Sequence, residues 1–119
     1  MDKPNKEYDF EKRTLAFSKE VRAFCRSIRS SLNFSDVDQV IRSSGSVGAN
    51  YIEAREALSK KDFIHRLRIS RKEAKETVYW LRLLVPPVGF EEKRQELVQE
   101  STELMMILSA MIRTSEGQS

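Results

Sequence analysis

The sequence has little of what disulfide-rich, metal-bound and sheet-based proteins are built from. Cys25 is the single cysteine, which excludes an internal disulfide framework and a cysteine-based zinc site within one chain. Four glycines and three prolines in 119 residues are too few for the many turns of an all-β sandwich. His65 is the only histidine. The longest uninterrupted apolar run is Leu104–Leu108, far short of the roughly 20 residues a membrane span needs. The opening MDKPNKEYDF has no apolar core segment, so no signal peptide is expected. These absences point to a cytoplasmic protein with no membrane association. The length suits one domain over residues 1–119, with ends at about 1–8 and 115–119 expected to be frayed.

What the sequence does have is helical periodicity. Phe10, Phe17, Val21, Phe24 and Ile28 recur in steps that put them on one helix face, with Thr14 filling a gap, and predict a first helix over about Asp9–Ser31. Ser35 is a candidate cap for a second helix, whose stripe is Val37, Val40, Ile41, Ser44, Val47, Tyr51 and Ile52. That stripe contains SSGSVGAN, residues 43–50. Two mid-helix glycines cost about 1 kcal/mol each relative to alanine, so close helix–helix approach or a local kink is expected in return. A phosphate loop is disfavoured because no Gly-Lys-Ser/Thr follows.

Ser59 and Asp62 resemble a capping box, with Asp in place of the usual Glu. Beyond them, Phe63, Leu67, Ser70, Ala74, Thr77, Leu81 and Leu84 form a heptad whose small members allow tight packing. Pro86 and Pro87 end that helix and Gly89 serves the turn. A fourth helix is predicted over about Glu91–Thr114, with Leu97, Leu104, Leu108, Met111 and Ile112 inward. The fold class is all-α, an antiparallel up-down-up-down four-helix bundle.

Helix 3 carries a second seam of Ile69, Glu73, Glu76, Trp80 and Leu83, rotated from the core row by roughly 90–150°. It either lines the groove beside a neighbouring helix or forms a candidate oligomer interface, where aromatic residues are enriched. A di-metal centre built on Glu73 and Glu76 would want two Glu-x-x-His pairs, and His65 alone does not supply them. Pairing of these glutamates with arginine across helices is the expected role. Cys25, at the edge of the first core stripe, reads as a buried thiol. No triad partner or oxyanion hole is visible, so neither an enzyme nor a cofactor is expected.

Charge is segregated by helix. Residues 9–32 carry a net +3 and residues 59–85 a net +5, whereas residues 35–57 and 91–114 carry −2 each. On helix 1 the basic row is Lys19, Arg22, Arg26 and Arg29; on helix 3 it is Arg68, Arg71, Lys72, Lys75 and Arg82. These nine are the candidate nucleic-acid-binding residues, since such stripes neutralise phosphates and release counterions. The opposing expectation is that basic helices 1 and 3 simply pair with acidic helices 2 and 4. No aromatic residue is expected among the stripes, so binding would be led by phosphate rather than by base stacking.

The stretch Arg42–Leu84 resembles a known family through Ser46-Val47-Gly48-Ala49-Asn50, Glu53-Ala54, Lys61-Asp62-Phe63, Glu73-Ala74, Glu76-Thr77, Tyr79-Trp80-Leu81 and Leu83-Leu84. The family is that of four-helix-bundle proteins encoded in intervening sequences of bacterial 23S rRNA genes. Many members have Ile-Pro-Ser-Asn where this chain has Val47-Gly48-Ala49-Asn50. The resemblance implies a non-enzymatic homo-oligomer, a homopentamer, with RNA, DNA or a reverse-transcriptase-like protein as partner. One branch of the family comprises accessory proteins of diversity-generating retroelements that bind a reverse transcriptase and nucleic acid. The alternative is a protein-interaction scaffold with no nucleic-acid role.

Overall fold

The computed structural model of the chain describes residues 6–28 and 34–117. Four helices follow one another: α1 over Lys6–Ile28, α2 over Phe34–Arg55, α3 over Lys60–Leu83 and α4 over Glu91–Ser115. Among the described residues there is no strand, and no helix is long and apolar enough to cross a membrane.

The helix ends follow local chemistry. The Ser59 side chain accepts a hydrogen bond from the Asp62 backbone N–H at 3.1 Å, so the predicted cap of α3 is formed. Leu84 turns out of the helix to an extended ψ of 147°, as a following Pro86-Pro87 pair encourages, and Gly89 turns the chain at φ +96°. At the end of α4 the Glu116 N–H returns to the Ile112 carbonyl and the Gly117 N–H to that of Thr114.

Two predicted helix starts shift. Helix α1 begins at Lys6 rather than Asp9. Helix α2 begins at Phe34, which puts Ser35 in its first turn and not at its cap. The predicted stretch Arg29–Ser31 and the Asn33 linker lie outside the described residues.

Cross-helix partners set the direction of each helix. Between α1 and α2, Glu11 meets Arg55 and Ser18 meets Ser44. Between α2 and α3, Val47 meets Ser70 and Ser43 meets Thr77. Between α3 and α4, Arg71 meets Ser109 and Ala74 meets Ser101. Between α1 and α4, Arg13 meets Glu100 and Glu20 meets Lys93. In every pair one number rises as the other falls, so all four neighbours are antiparallel and the bundle runs up-down-up-down. Among the described residues, α1 and α3 lie on the diagonal and do not pack on each other.

The core follows the predicted stripes except at Ile52. Phe10, Phe17, Val21, Phe24 and Ile28 of α1 meet Val37, Val40, Val47 and Tyr51 of α2. Leu67, Ala74, Leu81 and Leu84 meet Leu97, Leu104, Leu108 and Ile112. Cys25 is buried among them. Ile41, Phe63 and Met111 sit partly buried at the margin, and Ile52 is turned outward and exposed.

Small polar side chains hold the helices close together. Ser18 donates to the Ser44 carbonyl at 3.1 Å, Ser70 to the Val47 carbonyl at 2.6 Å and Ser101 to the Ala74 carbonyl at 2.8 Å. Each hydroxyl reaches a backbone oxygen on the neighbouring helix, which requires short interaxial separation. Among the described residues, no buried side-chain nitrogen or oxygen lacks a partner, so this polar layer carries no desolvation penalty left uncompensated. Gly48 belongs to the same close approach: a Cβ there would come within 2.8 Å of Thr14 Oγ1. Gly48 therefore serves helix contact.

Candidate nucleic-acid interface

The two basic stripes emerge on opposite faces, because α1 and α3 are diagonal. On α1, Lys19 and Arg26 are exposed, while Arg22 lies over α2: its guanidinium nitrogen stands 3.4 Å from the Cβ position of Gly45, and it donates to the Ser18 carbonyl at 3.4 Å. Arg29 lies outside the described residues. On α3, Arg68 pairs with Glu116 and Arg71 donates to Ser109 Oγ at 3.3 Å, both toward α4. Lys72, Lys75 and Arg82 are exposed.

The ion pairs join basic helices to acidic neighbours, as expected, but in part with the polarity reversed. Arg42 of α2 takes Glu73 at 2.9 Å and Glu76 at 3.1 Å, both on basic α3. Arg55 of α2 takes Glu11 of basic α1 at 3.2 Å, and Lys93 of α4 takes Glu20 of α1 at 3.1 Å. The cations of the acidic helices thus neutralise acids of the basic helices. Arg13, with Glu100 at 2.7 Å and Glu103 at 2.9 Å, and Arg68, with Glu116, run the other way, from basic helix to acidic neighbour. The outcome is that Lys19, Arg26, Lys72, Lys75 and Arg82 have no acidic partner among the described residues.

The proton affinities agree with this pairing. The Glu100 hydrogen bond, against the opposing effect of burial and with help from Glu103, raises Arg13 above its ordinary value. Burial pulls Arg42 down, but the hydrogen bonds and charges of Glu73 and Glu76 outweigh it and leave the group raised. Glu20 raises Lys93 by hydrogen bonding. The Gln99 amide, then Arg13, lowers Glu103.

The second seam of α3 faces α2. Glu73 is 8% exposed and held by Arg42, so the expected cross-helix pairing with arginine is formed. Glu76 shares the same guanidinium. Trp80 is half-buried against the core, Ile69 is half-buried, and Leu83 is exposed. Among the described residues, no group of three or more His, Cys, Asp or Glu gathers as a metal site.

One expectation is corrected. An aromatic residue does stand in the α3 stripe: Lys72, Lys75, Tyr79 and Arg82 step 3-4-3 along the helix. Tyr79 is 60% exposed, and with Lys72, Lys75, Gln39, Arg42 and Trp80 it lines an open groove of about 660 Å³ between α2 and α3. The signal was present in that spacing. A second groove, of about 580 Å³ and mainly apolar, opens at the other end of α3, where Phe10, Tyr51, Phe63, Ile107 and Met111 converge.

A family described as 23S rRNA-intervening sequence protein matches residues 6–110. A crystal structure of a protein of unknown function from the S23 ribosomal protein family of Bacteroides thetaiotaomicron is 33% identical. The likeness covers 92% of this chain and 99% of that one, with a TM-score of 0.78. No curated protein matches the chain. The matched segment runs from the first residue of α1 well into α4 and includes both stripes and the α2–α3 groove, and the chain belongs to the 23S rRNA-intervening sequence protein family.

Proposed function

We propose that this protein is a non-enzymatic, homo-oligomeric bundle that binds RNA, alone or within a nucleoprotein partner, through the basic stripes of α1 and α3. The observation that carries the reading is that five of the nine stripe cations, Lys19, Arg26, Lys72, Lys75 and Arg82, are exposed and have no acidic partner among the described residues. Bundle stability does not use them, because the ion pairs that tie the helices together draw on Arg13, Arg42, Arg55, Arg68 and Lys93. Contacts of this kind address phosphates and tolerate sequence. One chain presents its stripes on separate faces, and assembly of copies repeats each stripe around a larger surface.

The test is fluorescence anisotropy with a labelled RNA across a salt series starting near 50 mM, alongside Lys72→Glu/Lys75→Glu/Arg82→Glu. The reading expects affinity to fall steeply with salt and to be lost in the triple variant. Absence of binding at the lowest salt, or binding unchanged by the reversal, overturns it. Light scattering of the parent tests assembly, and a monomer refutes that part.

A further inference from the structure

We infer that the groove between α2 and α3 binds an unpaired base of single-stranded RNA, stacked on Tyr79, with the flanking phosphates on Lys72 and Lys75. This deepens the RNA-binding reading above and rests on it. The groove differs from the rest of the basic surface in one respect: it adds a flat ring to the unpartnered ammonium groups. Lys75 is one helical turn before Tyr79 and Lys72 two turns before it, so both lysines lie on the same face as the ring.

The Tyr79 ring is positioned rather than free. Trp80 meets it edge-to-face, with centroids 5.3 Å apart and planes at 76°. That contact braces the ring without covering it by a parallel neighbour, and 60% of the residue remains open to solvent. Trp80 is itself packed against the core, so the brace is anchored. Base–aromatic stacking of this kind is indifferent to sequence, because every base has a π-face.

The polar wall suits a base beside a phosphate. Arg42 is committed to Glu73 and Glu76 and is not available as a phosphate anchor. Lys72 and Lys75 are uncommitted, so phosphate falls to them. Gln39 of α2 and Glu76 of α3 line the same groove and are held by the Arg42 guanidinium at 3.3 and 3.1 Å, so recognition is left to the ring and the two ammonium groups. Duplex RNA cannot use the ring, since its bases are already stacked on one another.

The experiment compares a single-stranded uridine 12-mer with an RNA duplex of the same length, by anisotropy at low salt. The parent, Tyr79→Ala, Tyr79→Trp and Lys72→Glu/Lys75→Glu are measured side by side. Tyr79→Ala is expected to weaken single-strand binding by about tenfold and to leave the duplex unchanged, while Tyr79→Trp keeps parental affinity. If Tyr79→Ala binds both ligands like the parent while the lysine reversal loses both, stacking is wrong and phosphate binding stands. If the parent binds neither ligand, the RNA reading itself falls. If Tyr79→Ala changes the mass in light scattering but not the single-strand affinity, the groove is a contact between copies and the inference is overturned.

Discussion

Gly48 of α2 and Thr14 of α1 stand so close that a methyl group on Gly48 would lie 2.8 Å from Thr14 Oγ1 and 3.2 Å from its Cβ. Thr14 is short, branched and buried, and its hydroxyl already donates to the Glu11 carbonyl at 2.9 Å, so it cannot swing aside. Gly48→Ala therefore forces α1 and α2 apart. The expected loss is about 1–3 kcal/mol despite alanine's better helix propensity. Gly45→Ala is the control: its nearest neighbour is the end of the long Arg22 side chain at 3.4 Å, which can yield. That variant is expected to gain about 0.5–1 kcal/mol, and urea denaturation of the two variants should move in opposite directions.

Arg42 holds Glu73, a carboxylate that α2 and α3 otherwise cover. Arg42→Met leaves that charge without its partner and is expected to cost about 1–3 kcal/mol. Adding Glu73→Met removes the stranded charge and should recover most of the loss. A double-mutant cycle by thermal melting checks this, and strict additivity of the two losses would contradict it.

Glu103 has its proton affinity lowered by the Gln99 amide and by Arg13 from an ordinary value of 4.5. A carboxylate lowered in the folded state stabilises it above the unfolded pKa, and that contribution disappears as the pH falls through the folded value. Glu103→Gln should therefore melt below the parent at neutral pH, with the gap closing under acid. Lys93 has the opposite sign: Glu20 raises it, so its contribution is complete below its unfolded pKa and fades as pH rises through the folded value. Lys93→Gln should differ from the parent at neutral pH and converge with it in strong alkali.

Ser59 caps α3 through its bond to the Asp62 N–H. Ser59→Ala is expected to cost about 1 kcal/mol, and Ser59→Asp to restore it, because an anion at a helix N-terminus also suits the dipole. Thermal melts of the three proteins give the order.

Much of this architecture was legible in periodicity. The α3 heptad from Phe63 to Leu84 maps onto the packed face, with Ser70, Ala74 and Thr77 buried as small spacers and only Phe63 partly open. Local chemistry was equally readable where a few residues decide the outcome: Ser59 and Asp62 at one end of α3, Pro86 and Pro87 at the other. Less legible were the starts of α1 and α2, since a polar segment such as residues 6–8 carries no apolar stripe to mark the boundary. Tyr79 was readable in principle from its step after Lys75, yet its exposure depends on where α2 lies.

Residue spacing along the chain is enough to define four amphipathic helices, most of the stripes they bury, and how charge is divided among them. Those properties depend on spacing within one helix, and a helix has one period. The tertiary structure alone decided which charges are spent. Composition suggests that α1 and α3 discharge against α2 and α4. The packed bundle does this through Arg13 and Arg68, but it also sets Arg42, Arg55 and Lys93 on the acids of α1 and α3, and leaves Lys19, Arg26, Lys72, Lys75 and Arg82 facing outward. Net charge adds over a helix without regard to direction, but an ion pair forms only between side chains that the rotation and register of two helices bring within about 4 Å.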